Sequence, residues 1–327
     1  MTPAQTTAMP ARVPPQLCQL VTEPPAGGDW VHEIKLDGYR ILARLERGRV
    51  TLLTRNTQDW TAKFPGVARA VAALPARQAW LDGEIVVLDA RGLSGFQALQ
   101  EALSGTRAAA FHYFVFDLLY FDGRDLRGLS LVERKAKLKA LVSAGAVMHY
   151  LDHTEGNGAA AFDRACKRGL EGLVSKRRDG PYRAGRGHGW LKIRCVLRQE
   201  LVIGGFTDSE KGLEFGALLV GAHDRSGRLV YAGRVGTGFS RKARKTLRAR
   251  LHAIERPVAP FRRFPPQAVV AGVHWVEPSL VAEVRFTSRT RDGLLRHPTF
   301  QGLREDKPAR QVVFDSPKRT RAVRRSA

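Results

Sequence analysis

The sequence predicts a mixed α+β chain of two domains, an N-terminal domain of antiparallel sheets with flanking helices and a smaller strand-rich domain after it. Three observations predict this. From Trp30 to about Arg198, short runs of β-type alternation are separated by polar turns. Stretches with apolar residues at three- and four-residue spacing interrupt these runs. Past Arg194 the pattern turns almost wholly to strands, and a length of 327 residues accommodates two domains of ordinary size.

In order, Tyr39 to Leu45, Val50 to Thr54, Ala79 to Leu88 and His112 to Leu119 read as strands of the first domain. Phe64 to Leu74, Leu131 to Ala144 and Ala159 to Arg168 read as its helices. In the second domain Glu200 to Phe206, Phe215 to His223 and Arg228 to Val235 are strands, Ser240 to about Glu255 a helix, and Val281 to Thr287 a further strand. Strand, strand, strand, helix, strand is the order of a small Greek-key barrel of the OB type. Boundaries follow at 1–15 for a loose tail, 16–197 and 198–316 for the two domains, and 317–327 for a basic tail, with Pro257 to Pro266 as a loop. On the Ser240 helix, Ala243, Leu247, Leu251 and Ile254 share an apolar face. Arg241, Lys242, Arg244, Lys245, Arg248 and Arg250 occupy the rest, as a solvated face or as a DNA contact.

Lysine and arginine number 54 against 31 acids, a formal charge of +23 spread along the whole chain. Such a field favours a polyanion, nucleic acid above all, but does not name a chemistry. With 43% hydrophobic and 26% charged residues the composition is that of a folded soluble enzyme. No apolar run reaches membrane-spanning length and the first residues lack the pattern of a secretion signal, which points to a cytoplasmic protein; a nucleoid-associated monomer is the accompanying expectation. Cys18, Cys166 and Cys195 are far apart and read as reduced thiols.

No GxxxxGK[ST] loop occurs and no strand-GxGxxG-helix unit is evident. Gly185, Gly187 and Gly189 read as a flexible turn ahead of Trp190-Leu-Lys-Ile-Arg194. More informative is Glu33-Ile-Lys-Leu-Asp-Gly-Tyr-Arg40, where a lysine ends an extended run just before a DG turn. A free lysine, with a pKa of about 10.4, is a poor nucleophile until burial or neighbouring cations favour its neutral form. Arg40, Lys176, Lys192 and Arg194 are the candidates for that positive field.

Taken in order, Lys35-Leu-Asp-Gly-Tyr-Arg40, Thr54-Arg-Asn56, Leu81-Asp-Gly-Glu84, Phe114-Val-Phe-Asp-Leu-Leu119, Glu171-Gly-Leu-Val-Ser-Lys176 and Trp190-Leu-Lys-Ile-Arg194 resemble the covalent nucleotidyltransferases, and among them the ATP-dependent DNA ligases. The segment Arg296-His-Pro-Thr-Phe-Gln-Gly-Leu-Arg-Glu-Asp-Lys307 and the entry Gly28-Asp-Trp-Val-His-Glu-Ile-Lys35 resemble the ligase domains of bacterial end-joining ligase D polypeptides. No polymerase or phosphoesterase segment accompanies them, the pattern of a stand-alone ligase module. The resemblance implies an adenylation (nucleotidyltransferase) domain followed by an OB-fold domain, sealing 3′-hydroxyl and 5′-phosphate breaks through lysyl-AMP and a DNA-adenylate. It implies ATP and Mg²⁺ or Mn²⁺ as cofactors, DNA nicks or ends as substrate, and a Ku-type end-binding protein as a partner.

Residue by residue, the resemblance makes Lys35 the nucleophile, Glu33 the reader of the adenine amine, with Ile34 beside it, and Arg40 a ribose or phosphate contact. Arg55 would meet the AMP ribose or DNA phosphate, Glu84 the ribose hydroxyl, and Phe116 the adenine face. Glu171, with Glu84, would hold the divalent metal. Lys176 belongs to the nucleotide-contacting set, and Lys192 and Arg194 would neutralise the α-phosphate. Arg304, Asp306 and Lys307 would orient the leaving pyrophosphate. A phosphoryl-type transition state needs this mixture of in-line positioning, a hard cation and fixed positive charge. Thr57 stands where the family often has glycine, and Arg194 where it commonly has lysine. An RNA ligase or capping guanylyltransferase shares the lysine chemistry, and a silent basic DNA-binding protein shares only the charge. The C-terminal segment and Glu33 speak against the former, the joint presence of Lys35, Glu171 and Lys192 against the latter.

Overall fold

The computed structural model describes residues 7–105, 108–142, 145–195, 197–209, 212–262, 272–290 and 292–314. The chain divides into two compact units, one running to Cys195 and one spanning Val196–Ser316. The predicted basic tail, Lys318 to Ala327, and residues 263–266 of the predicted loop lie outside the described residues.

Two sheets make the first unit. One has the order β1-β11-β10-β2-β9, from β1 (Gln16–Leu20), β2 (Trp30–Ile34), β9 (Thr154–Glu155), β10 (Gly172–Arg177) and β11 (Gly185–Arg194). The other has the order β4-β3-β5-β6-β7, from β3 (Tyr39–Glu46), β4 (Arg49–Thr54), β5 (Gln78–Val86), β6 (His112–Phe121) and β7 (Arg124–Asp125), with β8 (Met148–Tyr150) added beside β6. Because side chains alternate across a strand, each sheet has two differently used faces. Ile41, Leu81 and Val115 face an outer core with Val67 and Val71 of α1 (Pro65–Ala72), Phe96 and Leu99 of α2 (Phe96–Leu103), and Leu138 of α3 (Leu131–Leu141). Leu173, Leu191 and Ile193 pack on Ala161 and Ala165 of α4 (Gly158–Lys167). The inner faces meet around Leu42, Trp80, Phe116, Tyr182 and Trp190.

α3 opens with a reciprocal capping box, Ser130 with Glu133, and α4 with Asn157 accepting from the Ala160 N–H. α2 was not expected from the sequence. Its first turn is held by Asp37, whose carboxylate accepts from the Phe96 N–H at 2.9 Å. The aspartate of the Lys-Leu-Asp-Gly motif is therefore spent on fixing a helix. Gly38 beside it is required, since a Cβ there would stand 2.1 Å from the Ile85 carbonyl oxygen.

The second unit is a barrel. β12 (Leu197–Thr207) pairs with β13 (Leu218–His223) on one side, and on the other with β17 (Val281–Phe286) and then β16 (Val273–Val276), itself edged by β15 (Glu255–Arg256). β14 (Leu229–Val235) continues β13, and β20 (Thr299–Leu303) continues β17. A parallel bridge from Thr237 to Thr299 closes the ring, which is how a small barrel disposes of its edges. α5 (Arg241–His252) follows β14, capped by Ser240 and seated through Leu247 and Leu251. A hairpin of β18 (Ser288–Arg289) and β19 (Leu295–Arg296) completes the set.

Three expectations need correction. From Thr7 on, the N-terminal segment is docked, not loose: Trp80 Nε1 donates to the Pro10 carbonyl, Tyr120 Oη to that of Thr7, and Val13 is buried. The glycines 185, 187 and 189 open strand β11, paired in parallel with β1, rather than forming a turn. Cys166 and Cys195 are joined by a disulfide, because α4 and the end of β11 pack together with their Cα atoms 5.2 Å apart; Cys18 alone stays free.

Candidate active site

Strand register builds the site. Glu33 on β2 stands opposite Val174 on β10, which stands opposite Lys192 on β11. One row further, the Lys35 N–H donates to the Gly172 carbonyl at 2.9 Å, and Gly172 pairs with Arg194. Lys176 pairs with Val31 on one side and Trp190 on the other. The two-residue period thus puts Glu33, Lys35, Lys176, Trp190, Lys192 and Arg194 on one face. That face looks toward Arg40, Asp82, Glu84 and Phe116 on the inner face of the second sheet. Gly172 makes the row possible, with φ at +153° and only 1.9 Å between a would-be Cβ and the Ile193 carbonyl oxygen.

Glu171 precedes that glycine and is tied to the end of β11, its carbonyl accepting from the Cys195 N–H at 2.9 Å. Its carboxylate accepts from Lys35 Nζ at 2.7 Å, and Arg194 Nε lies 3.9 Å from its other oxygen. Burial pushes the Lys35 ammonium toward neutrality. The carboxylate of Glu171, with Glu84 behind it, overrides both burial and the repulsion of Arg194, so the lysine pKa lies above its ordinary value. The expected cationic field is therefore outweighed, and Lys35 rests as an ammonium.

Glu33 is buried, with Lys135 Nζ 2.6 Å from one carboxylate oxygen and Lys176 Nζ 2.6 Å from the other. Burial alone would raise its pKa, but the two ammoniums hold it below the ordinary carboxylate range. The Lys176 Nζ also lies 4.1 Å from the ring centres of both Phe116 and Trp190, and those rings meet edge to face at 5.9 Å. This is an aromatic wall suited to a planar base.

Arg40 is committed elsewhere than expected. Its guanidinium donates twice to Asp82, at 2.9 and 2.5 Å, and once to the Gln16 carbonyl, while Tyr182 Oη donates to Asp82 at 2.7 Å. Ile34 projects from the face opposite Lys35 and is 36% exposed, so only its backbone borders the site. Arg55 lies in the turn after β4, a strand away from Arg40. Thr57 in that turn takes the left-handed conformation, φ 66°, for which glycine is the usual choice. Arg304 and Lys307 belong to the second unit. There Arg304, partly exposed, pairs with Asp306 at 2.8 Å, with Glu283 and Glu200 beyond, and Lys307 pairs with Glu200.

Sequence reading missed Lys135, Asp82, Tyr182 and the buried pair Arg134–Asp117, whose nitrogen and oxygen are 2.7 Å apart. On a helix reading Leu-Val-Glu-Arg-Lys-Ala-Lys, nothing distinguishes the buried lysine from its solvated neighbours.

A family model described as the ATP dependent DNA ligase domain matches residues 15–194, and one described as the ATP dependent DNA ligase C terminal region matches residues 211–307. The chain belongs to the ATP-dependent DNA ligases. It is 43% identical over 320 residues to the multifunctional non-homologous end joining protein LigD of Pseudomonas aeruginosa, covering 95% of this chain and 38% of that protein. To the corresponding LigD protein of Mycobacterium tuberculosis it is 38% identical over 287 residues, 87% of this chain and 37% of the other. The ligase thus spans well under half the length of these curated relatives. Among solved structures, a mycobacterial DNA ligase D complexed with ATP and MES is similar at a TM-score of 0.66 and 35% identity, over 91% of this chain and 98% of that one.

As an ATP-dependent ligase the protein uses ATP and binds DNA. Glu171 and Glu84 offer hard oxygen donors beside Lys35, a set that fits Mg²⁺ or Mn²⁺ completed by phosphate oxygens and water. Among the described residues no group of three or more His, Cys, Asp or Glu side chains is placed to hold a metal by itself. Nor is any described helix long and apolar enough to cross a membrane.

Proposed function

We propose that this ligase charges itself at Lys35 and seals broken DNA for end joining. The observation that carries the reading is the Lys35–Glu171 contact at 2.7 Å, flanked by Arg194, on the sheet face that also carries Trp190 against Phe116. Phe116 stacks on the base, Glu33 accepts from its amino group, and Glu84 meets the ribose. The unprotonated Lys35 amine attacks the α-phosphorus of ATP, the bond to pyrophosphate breaks, and a lysine–phosphorus bond forms. Lys192 and Arg194 balance the charge that gathers on the α-phosphate. Glu171 and Glu84 would hold a divalent metal, which would supply Lewis-acid polarisation of the phosphate when bound. Lys35 must first surrender the proton that Glu171 now helps it keep.

The 5′-phosphate of a nick or end then takes AMP, and the 3′-hydroxyl displaces it to close the strand. Arg55 and the basic face of α5 meet the DNA backbone, in keeping with a charge of +23. Work on double-strand breaks is in keeping with the relatives, both end-joining proteins, and the same reading puts the ligase at the nucleoid beside a Ku-type end-binding protein. The first experiment incubates protein with α-labelled ATP, GTP or NAD⁺ and Mg²⁺. Acid-labile label from ATP alone, absent in Lys35→Ala, supports the reading; label from GTP, or label that survives the substitution, overturns it. Capture of the ligase on labelled ends with and without the end-binding protein tests the partner.

A further inference from the structure

Behind the base-reading carboxylate lies a second buried cation that the chemistry of AMP transfer does not use. Lys135 on α3 is 1% exposed, and its Nζ donates to Glu33 Oε1 at 2.6 Å and to the Leu151 carbonyl at 2.8 Å. Lys176, also 1% exposed, stands 2.6 Å from Glu33 Oε2. One ammonium is enough to neutralise one carboxylate, and a surplus buried charge carries a desolvation cost that packing does not return. Lys139 on the same helix reaches the Tyr150 ring from a more exposed position, so α3 had a solvated alternative for a lysine on this side.

The two lysines are not equivalent. Lys176 faces aromatic rings on both sides, and burial, with the repulsion of Lys135, leaves its pKa below the ordinary lysine value. Lys135 has a carbonyl as well as the carboxylate for its donors, and the attraction of Glu33 overrides burial to hold its pKa above that value. Of the two ammoniums, Lys135 is the one held more firmly in its charged form.

We propose that Lys135 is a positioning residue for nucleotide selection: it holds Glu33 ionised and in one orientation, so that this carboxylate acts only as an acceptor. A carboxylate so held has lone pairs left for the exocyclic amine of adenine. It repels the carbonyl oxygen that hypoxanthine carries at the same place, whereas a protonated or rotated Glu33 would donate to it. The inference rests on the reading of Glu33 as the adenine contact.

The test measures lysyl-nucleotide formation from ATP and from inosine triphosphate, for wild type and Lys135→Met. In the variant kcat/KM for ATP falls roughly 10- to 100-fold, mainly through KM, as expected for a misdirected charge-assisted hydrogen bond. For inosine triphosphate it changes by less than about threefold, so the selectivity ratio collapses. Combining the change with Glu33→Gln adds nothing to the selectivity lost by Glu33→Gln alone. An equal fall with both nucleotides, or an unchanged ratio, would overturn the proposal by leaving Lys135 a merely structural role. Should Lys135→Met not fold, Lys135→Gln keeps a donor for Leu151 and is read the same way. If wild type accepts both nucleotides equally, the reading of Glu33 itself fails, and that failure is visible before any variant is made.

Discussion

Lys35 and Glu171 meet at 2.7 Å across 136 residues of sequence, and backbone register rather than side-chain reach brings them together. Lys35 follows β2, Glu171 precedes β10, and both are locked to the strand end at Gly172. The pair sets the resting charge of Lys35. Because Glu171 holds the Lys35 pKa up, Glu171→Gln leaves the lysine facing Arg194 without its counter-charge and lowers that pKa. Without nucleotide or metal, acylation of Lys35 followed by mass spectrometry should reach its half-maximal rate at a lower pH in the variant than in wild type. On the proposed role of Glu171 at the metal, formation of lysyl-AMP should fall in the same variant. An unmoved acylation profile would mean that Glu171 does not control the proton.

The same cluster logic gives a pH prediction for stability. The folded pKa of Glu33 lies below its unfolded value of about 4.3, so its contribution is complete above that pH and is lost as pH falls through the folded value. Urea midpoints of wild type should drop on acidification over this window, and those of Glu33→Gln should drop less. Lys35, raised in the folded state, contributes with the opposite sign: its share is complete below about pH 10.4 and disappears only as pH rises through the raised value.

Arg40 and Asp82 form a buried pair, 14% and 0% exposed, in which Gln16 and Tyr182 also take part. Removing one partner strands the other charge, so Asp82→Ala should cost about 3–5 kcal/mol. The urea transition followed by the fluorescence of Trp30, Trp60, Trp80 and Trp190 measures it. A loss under about 1 kcal/mol, the size of an exposed pair, would show that Arg40 is free for substrate in the absence of ATP.

How far the sequence carried follows from the same contacts. Glu33 and Lys35, or Lys192 and Arg194, fall on one face because a strand alternates, and that period is readable. Long strands such as β3 and β6 alternate visibly, and their expected bounds lie within two residues of those found. Pairing is another matter: no local pattern says that Gly172 sits beside Lys35, nor that Lys135 crosses 102 residues to Glu33. Anchors made to backbone carbonyls are equally silent, which is why Thr7 to Val13 read as a tail. The OB order was visible, but β15, β16 and β20, short and split by turns, were not.

Thr57 offers a gain in stability. A β-branched residue at φ 66° carries strain of about 1–2 kcal/mol, only partly relieved by the Thr57 N–H donating to the Thr54 carbonyl at 2.8 Å. Thr57→Gly should raise the stability of the first unit by about 1 kcal/mol after the added freedom of the unfolded chain is subtracted. A lower urea midpoint would show that the Thr57 side chain contributes more than its backbone costs.

The disulfide is the sharpest departure from what the sequence suggested, and it can be counted. With Cys166 and Cys195 joined and Cys18 free, a thiol reagent should titrate a single cysteine in denatured, unreduced protein and all three after reduction. The bridge closes a loop between positions 29 apart, which in the chain-entropy account is worth about 3–4 kcal/mol. Cys166→Ser with Cys195→Ser should lose most of that, and reduction of wild type should reproduce the loss. The loss should fall on the contact between α4 and the end of β11, where the Cys195 N–H holds the Glu171 carbonyl. Hydrogen exchange of the Cys195 amide should therefore quicken on reduction. Three thiols before reduction would remove the bridge, and an unchanged amide would show that Glu171 is held by the sheet alone.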